Sequence, residues 1–244
     1  MQVLLQKRRL VNTEISKRHL IVRCKRLPCV PCKNLGHRII CQMGESEQTT
    51  LDNTRKKARN RIIWLGISID ILIIDQISKW AIMEMIMRPK TNGESSLNLI
   101  EWYTNMPSML PYASVEITSF FNLVMAWNTG VSFSMFSDYG AYTPYILLLV
   151  ATGITLMFVS WLWNAPNHLY GVSCALIIGG ALGNIVDRSR FGAVIDFLDF
   201  HAFGYHWPAF NVADMSVVIG ISILIVVSLF FDIKEKRLYS KQNE

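Results

Sequence analysis

The sequence predicts an all-α membrane protein, four transmembrane helices with a small extracytoplasmic β element. Composition is the first ground: of 244 residues 51% are hydrophobic and only 17% charged, against about 25% charged in an average globular chain, and mean hydropathy is +0.29. That excludes disorder, collagen and coiled coil and argues against a soluble domain. Uncharged runs are the second: Thr143–Trp163, Leu169–Val186 and Met215–Phe231 each approach the ~20 residues that cross ~30 Å of hydrocarbon. Charge placement is the third, because the net +6 belongs to one end. Residues 1–42 carry ten Lys/Arg and one acid, Glu14, whereas the remainder is net negative.

Residues 1–60 read as a basic, disordered amino-terminal tail. Within it, Cys29-x2-Cys32-x4-His37-x3-Cys41 falls one residue short of a zinc-knuckle spacing. The preferred reading is an upstream stretch without metal, with translation starting at Met43. The apolar Met1–Leu5 is too short for a secretory signal, and it precedes rather than follows the positive charge.

The membrane domain, residues 61–232, begins with a span at Ile62–Met87, whose 26 residues measure about 39 Å as helix. It holds Asp70, Asp75, Lys79 and Glu84. Asp75 and Lys79 are four apart, so they share a helix face and can pair, which gives a polar stripe turned inward. Residues 88–142 follow as an external segment too long for a turn. Val115–Trp127 is rich in β-branched and aromatic residues and Gly130 is a turn signal, so a small sheet is expected within 100–136. Span 143–163 leads through Asn164–His168 to span 169–186, where Gly179 and Gly183 form a small-xxx-small pair suited to close helix packing. Residues 187–214 are a second external loop, span 215–231 completes the bundle, and 233–244 form a tail. Arg55, Lys56, Lys57, Arg59 and Arg61 precede the first span, and Lys234, Lys236, Arg237 and Lys241 follow the last. The positive-inside rule therefore predicts both termini in the cytoplasm.

Polar residues of this domain gather on the outer side. Asn184, Asp187 and Arg188 end the third span, Asp196 and Asp199 lie in the loop after it, and Asn211 and Asp214 open the fourth. Ionisable groups at membrane depth usually line a pathway or a site. Plainer readings exist: Asp214 as a helix cap, Asp187 with Arg188 as a local ion pair, Asp199 facing water. Two acids that start and end this short external loop can be brought together by packing of the third and fourth spans. Two such carboxylates cannot both ionise easily, so one serves as general acid and the other as general base in hydrolysis. No His-Glu-x-x-His, Gly-x-Ser-x-Gly or Walker loop is present. His201 and His206, set among aromatics, read as a membrane-surface anchor rather than zinc ligands, and Cys174 as a core thiol.

Five blocks stand in order: Asp75-Gln76-x-x-Lys79; Asn128-Thr129-Gly130 with Ser132-Phe133; Gly183-Asn184-x-x-Asp187-Arg188; Val194-x-Asp196-Phe197-x-Asp199-Phe200; and Pro208-x-Phe210-Asn211-x-Ala213-Asp214. Across most of residues 61–232 the chain thereby resembles the lipoprotein signal peptidases, or signal peptidase II. The resemblance implies a four-helix aspartic peptidase of the bacterial inner membrane with an outer β cradle. Such an enzyme removes the signal peptide of diacylglyceryl prolipoproteins by cutting before the lipid-modified cysteine, on the periplasmic side, and is inhibited by the cyclic peptide globomycin. By the same resemblance Asp196 and Asp214 are the catalytic acids, Asn128, Asn184, Arg188 and Asn211 the frame that positions substrate and acids, and Asp75 a supporting acid. No metal or organic cofactor is implied. The expected partners are prolipoprotein substrate and membrane lipid, not nucleic acid, and the expected state is a monomer.

The contrasting class is a proton-coupled carrier, which predicts acids near mid-bilayer on several helices and often an internal repeat. Here the acids cluster at one end and no repeat is evident. Three features depart from the family pattern. Residues 1–42 have no counterpart, Lys90–Ser114 is longer than is common, and Asp70 stands where an apolar residue is more usual, with no role assigned to it beyond pairing inside the bundle.

Overall fold

The computed structural model describes residues 35–91, 95–130 and 142–242. The chain divides into two units, Met1–Ala58 and Arg59–Glu244, and the second carries the sheet and the polar cluster described below. Helix α1 runs Leu35–Trp80, widens into a π-helical segment at Ala81–Met87 and ends in the short α2, Arg88–Thr91. The disorder expected of 1–60 therefore fails for residues 35–60, which are helical. No Gly or Pro interrupts residues 45–65, and extending a helix already nucleated by the following span costs little. The Cys/His pattern at 29–41 and the Met43 start fall outside the residues whose side chains are described.

Beyond α2 come a short helix α3, Leu99–Thr104, and strands β1, Ala113–Thr118, and β2, Phe121–Asn128. Asn98 and Glu101 cap α3 reciprocally: each side chain accepts from the other's backbone N–H, at 2.9 and 3.0 Å. Then follow α4, Thr143–Trp163, α5, His168–Phe191, β3, Val194–Ala202, β4, Tyr205–His206, and α6, Val212–Gln242. The strands form one antiparallel sheet in the order β1-β2-β3-β4. The sequence located β1 and β2 but read 194–202 as loop; β3 pairs with β2 across some 70 residues of chain, with Trp127 opposite Ile195.

Among the described residues three helices, α4, α5 and the Val212–Phe230 part of α6, are long and apolar enough to cross a membrane. The apolar part of α1 is interrupted by Asp70, Asp75 and Lys79, so composition alone does not place it with them. Large apolar side chains face outward on the three, such as Leu149 and Phe230 at 74% and 68% exposure, as a lipid-facing surface requires. Helix α5 sits at the centre. A Cβ on Gly179 would lie 2.7 Å from the Ser68 carbonyl oxygen, and one on Gly180 2.3 Å from that of Ala213, so only glycine lets α1 and α6 approach this closely.

One end of the bundle is tied by the Arg61 guanidinium, which donates to the Trp163 carbonyl at 2.8 Å and stacks on its ring, and by Trp64 edge-on to His168. A core of Trp64, Phe158, Leu162, Cys174 and Ile178 fills the space behind them, with Cys174 fully buried as expected. At the opposite end a second core, Met83, Met87, Trp102, Leu110, Met125, Ile195 and Phe197, joins the π-helical segment to α3 and the sheet. The polar residues lie at that end.

Candidate active site

Asp196 stands on β3 and Asp214 in the first turn of α6. Asn211 opens α6 as its cap: its side-chain oxygen accepts from Asp214 N at 2.9 Å, and the Asp214 carboxylate accepts from Asn211 N at 3.3 Å. The cap is thus Asn211, not Asp214, which leaves Asp214 Oδ1 to accept from Asn184 Nδ2 at 2.7 Å. Asn211 Nδ2 donates to Asp196 Oδ1 at 2.7 Å and also reaches Asn184 Oδ1 at 3.2 Å. Two asparagine amides therefore bridge the two acids. The Asn128 side chain also bonds Asp196, and its own oxygen is occupied by Gly130 N at 2.9 Å, which turns the amide's donor end to the carboxylate. Ser132 and Phe133 of the same block lie outside the described residues.

Asp196 is only 2% exposed. Burial, and then the charge of Asp214, push it up to about 7, while the Asn128 and Asn211 hydrogen bonds and the more distant Lys79 charge oppose them. The half-buried Arg188 guanidinium feels Asp214 most, then Asp196 and Asp187. Among the described residues it closes no ion pair, so it stands beside the acids with donors to spare.

The local Asp187–Arg188 pair does not form. Lys79 Nζ lies 2.7 Å from Asp187 Oδ2 and 2.7 Å from Asp75 Oδ2, all three side chains fully buried. Gln76 Nε2 adds hydrogen bonds to Asp187 Oδ1 at 2.9 Å and Asp75 Oδ2 at 3.2 Å. Each carboxylate spends an oxygen on backbone. Asp187 accepts from Ile195 N at 3.1 Å and Asp75 from Ala213 N at 2.9 Å, the residues immediately before Asp196 and Asp214. The sequence singled out Asp75 but not Lys79, Gln76 or Asp187 as site residues; the signal was the Asp75–Lys79 spacing, whose third member lies on another helix. Gly183 belongs here too, because a Cβ on it would lie 2.4 Å from Asp75 Oδ2.

Other expectations are corrected. Asp199 does not face water: it is 5% exposed and accepts from Asn122 at 3.0 Å, with His206 Nδ1 at 2.9 Å. Burial works upward on Asp199, yet the His206 and Asn122 hydrogen bonds hold it below the usual carboxylate range. Asp70 is exposed and, among the described residues, closes no ion pair inside the bundle. No group of three or more His, Cys, Asp or Glu among the described residues is arranged to hold a metal.

This frame can be compared with known proteins. A family model described as signal peptidase (SPase) II matches residues 67–230, a stretch that contains all these side chains. The chain belongs to the signal peptidase II family. It is 38% identical over 168 residues to the lipoprotein signal peptidase of Ralstonia nicotianae, a match covering 68% of this chain and 83% of that one. With the lipoprotein signal peptidase of Burkholderia multivorans it shares 39% over 164 residues, 66% and 84% of the two chains. A solved bacterial membrane enzyme superposes with a TM-score of 0.51 at 27% identity, over 71% of this chain and 91% of the other. A second gives 0.50 at 26%, over 68% and 92%. The chain is thus an enzyme of the signal peptidase II type and, with its apolar helices, a bacterial inner-membrane protein.

Proposed function

We propose that this signal peptidase II cleaves diacylglyceryl-modified prolipoproteins just before the lipid-modified cysteine, by an aspartic mechanism with Asp196 and Asp214 as the catalytic pair. The observation that carries the reading is the bridging of these two acids, one from β3 and one from α6, by the Asn184 and Asn211 amides. Asp214 takes a proton from water as the oxygen attacks the scissile carbonyl carbon. Asp196, still protonated near neutral pH, gives its proton to the carbonyl oxygen. Collapse of the tetrahedral intermediate passes a proton to the leaving nitrogen and restores the pair. Asn128, Asn184 and Asn211 hold the carboxylates, Arg188 offers donors to the substrate backbone, and Asp75 supports the start of α6.

In this reading α1 is the fourth span, both termini are cytoplasmic, and the acids meet a lipid-anchored substrate at the periplasmic face. The enzyme works as a monomer within lipid. A gel-shift assay on a purified diacylglyceryl prolipoprotein tests it. Wild type cleaves, globomycin blocks cleavage, and Asp196→Asn and Asp214→Asn each lose on the order of 10²–10⁴-fold in rate with the fold intact. Cleavage at the wild-type rate by either variant refutes the pair.

A further inference from the structure

Residues 95–112, which carry α3 and lead into β1, form a strap. It is fastened at several points. Ser96 Oγ donates to the Glu84 carbonyl at 2.6 Å, Trp80 Nε1 to that of Leu97 at 3.0 Å, and Trp127 Nε1 to that of Leu110 at 2.8 Å. Trp102 on α3 is fully buried, with the Arg190 guanidinium 4.0 Å from its ring centre and an Arg190 N–H donated to its carbonyl at 2.5 Å.

These fastenings set the next residue. The Tyr103 hydroxyl donates to Gln76 Oε1 at 3.0 Å. A carboxamide has one accepting and one donating end. With the phenol on Oε1, the Gln76 Nε2 must face Asp187 and Asp75, as it does at 2.9 and 3.2 Å. The reverse orientation would set an oxygen against two carboxylates. Burial pushes the Tyr103 phenol above its ordinary value, with Arg190 opposing, so it remains a donor at cellular pH.

We infer that Tyr103 is a positioning residue for peptide cleavage: its hydroxyl locks the Gln76 amide onto Asp75 and Asp187, and through them the backbone just ahead of Asp214 and Asp196. The inference rests on the proposed catalytic pair. Unlike the acids, Tyr103 touches no reacting atom, so it acts on turnover through geometry alone.

The test uses the full chain in lipid with the same prolipoprotein, comparing wild type, Tyr103→Phe, Gln76→Ala, the double variant, Ile100→Ala and Asp196→Asn. Phe keeps the ring beside Arg190 and removes only the hydroxyl. The expected result is a kcat lowered about five- to tenfold, the size of one hydrogen bond, at unchanged KM and unfolding temperature. The double variant should match Gln76→Ala alone, because the hydroxyl acts only through that amide. Ile100→Ala, on the exposed face of α3, should match wild type. Wild-type kcat in Tyr103→Phe, additive losses in the double variant, or an equal loss in Ile100→Ala overturns the inference. Wild-type cleavage by Asp196→Asn overturns the catalytic pair instead, so the two failures are distinguishable.

Discussion

Two buried ion pairs repeat the same i, i+4 spacing along one helical run, and they serve different parts of the molecule. Lys79 lies 2.7 Å from Asp75, and Arg88 lies 2.5 Å from Glu84, all four side chains almost wholly buried. Removing charges from water offsets most of what such pairs gain, so neither is explained by stability alone. The spare carboxylate hydrogen bonds tell them apart. Asp75 holds Ala213 N at 2.9 Å, one residue before Asp214, while Glu84 holds Leu97 N at 3.1 Å, at the root of the strap. One pair secures the start of the helix that carries Asp214 and the other a segment outside the helices. The same local chemistry acquires its role from the backbone it grips.

The strongest way to break this comparison is to remove each cation. Lys79→Met leaves Asp75 and Asp187 facing each other without a counter-charge, and is expected to cost about 3–5 kcal/mol and to abolish cleavage. Arg88→Met should destabilise by a similar mechanism yet lower kcat no further than Tyr103→Phe, since its partner Glu84 grips the strap at Leu97 N. Thermal unfolding and cleavage assays on both variants decide; equal catalytic losses would erase the distinction.

A smaller change sharpens it. Gly183→Ala places a methyl 2.4 Å from Asp75 Oδ2, so Asp75 must shift from Ala213 N, with an expected loss of about 1–3 kcal/mol from overpacking and a clear fall in kcat. Gly153→Ala on α4 meets nothing within 4 Å and should raise stability slightly, because alanine restricts the unfolded chain. Cleavage unaffected in Gly183→Ala would show that the Asp75 contact does not serve the site.

The third test is a titration. Asp196 is pushed up from 3.8 to about 7 in the folded chain. Between these values the unfolded chain ionises and the folded one does not, so wild type loses stability as pH rises through that window and regains none above it. Asp196→Asn removes the penalty. Its unfolding temperature should exceed that of wild type at about pH 8 and match it at about pH 4. Equal curves at both would mean that the folded site leaves Asp196 an ordinary carboxylate.

Much of this architecture was legible before any coordinates. Thr143–Trp163 is found as a helix with those bounds because a helix facing lipid must be apolar on nearly every side, and an unbroken apolar run shows that directly. Asp75 with Lys79 was legible for a similar reason, since helical spacing alone puts them on one face. Strand β3 was not. Its partner β2 lies far away in the chain, so nothing near Val194–Ala202 announces the pairing. The residual helix at 35–60 was missed because its basic composition outweighed the simple lack of a breaker.

The partner of Asp187 shows most clearly where sequence ends. Arg188 is its neighbour in the chain, but adjacent residues on a helix point about 100° apart, and the cation that reaches Asp187 is Lys79, 108 positions earlier, 2.7 Å away. The sequence by itself determined the apolar spans and the resemblance carried by five ordered blocks, which supplies the two acids of the proposed pair. Only the tertiary structure decided which amides bridge those acids, which cation serves which carboxylate, and that a tyrosine from the strap holds Gln76 in place. Apolarity and helical period are written in neighbouring residues, whereas hydrogen-bond partners are chosen by where separate helices and strands meet.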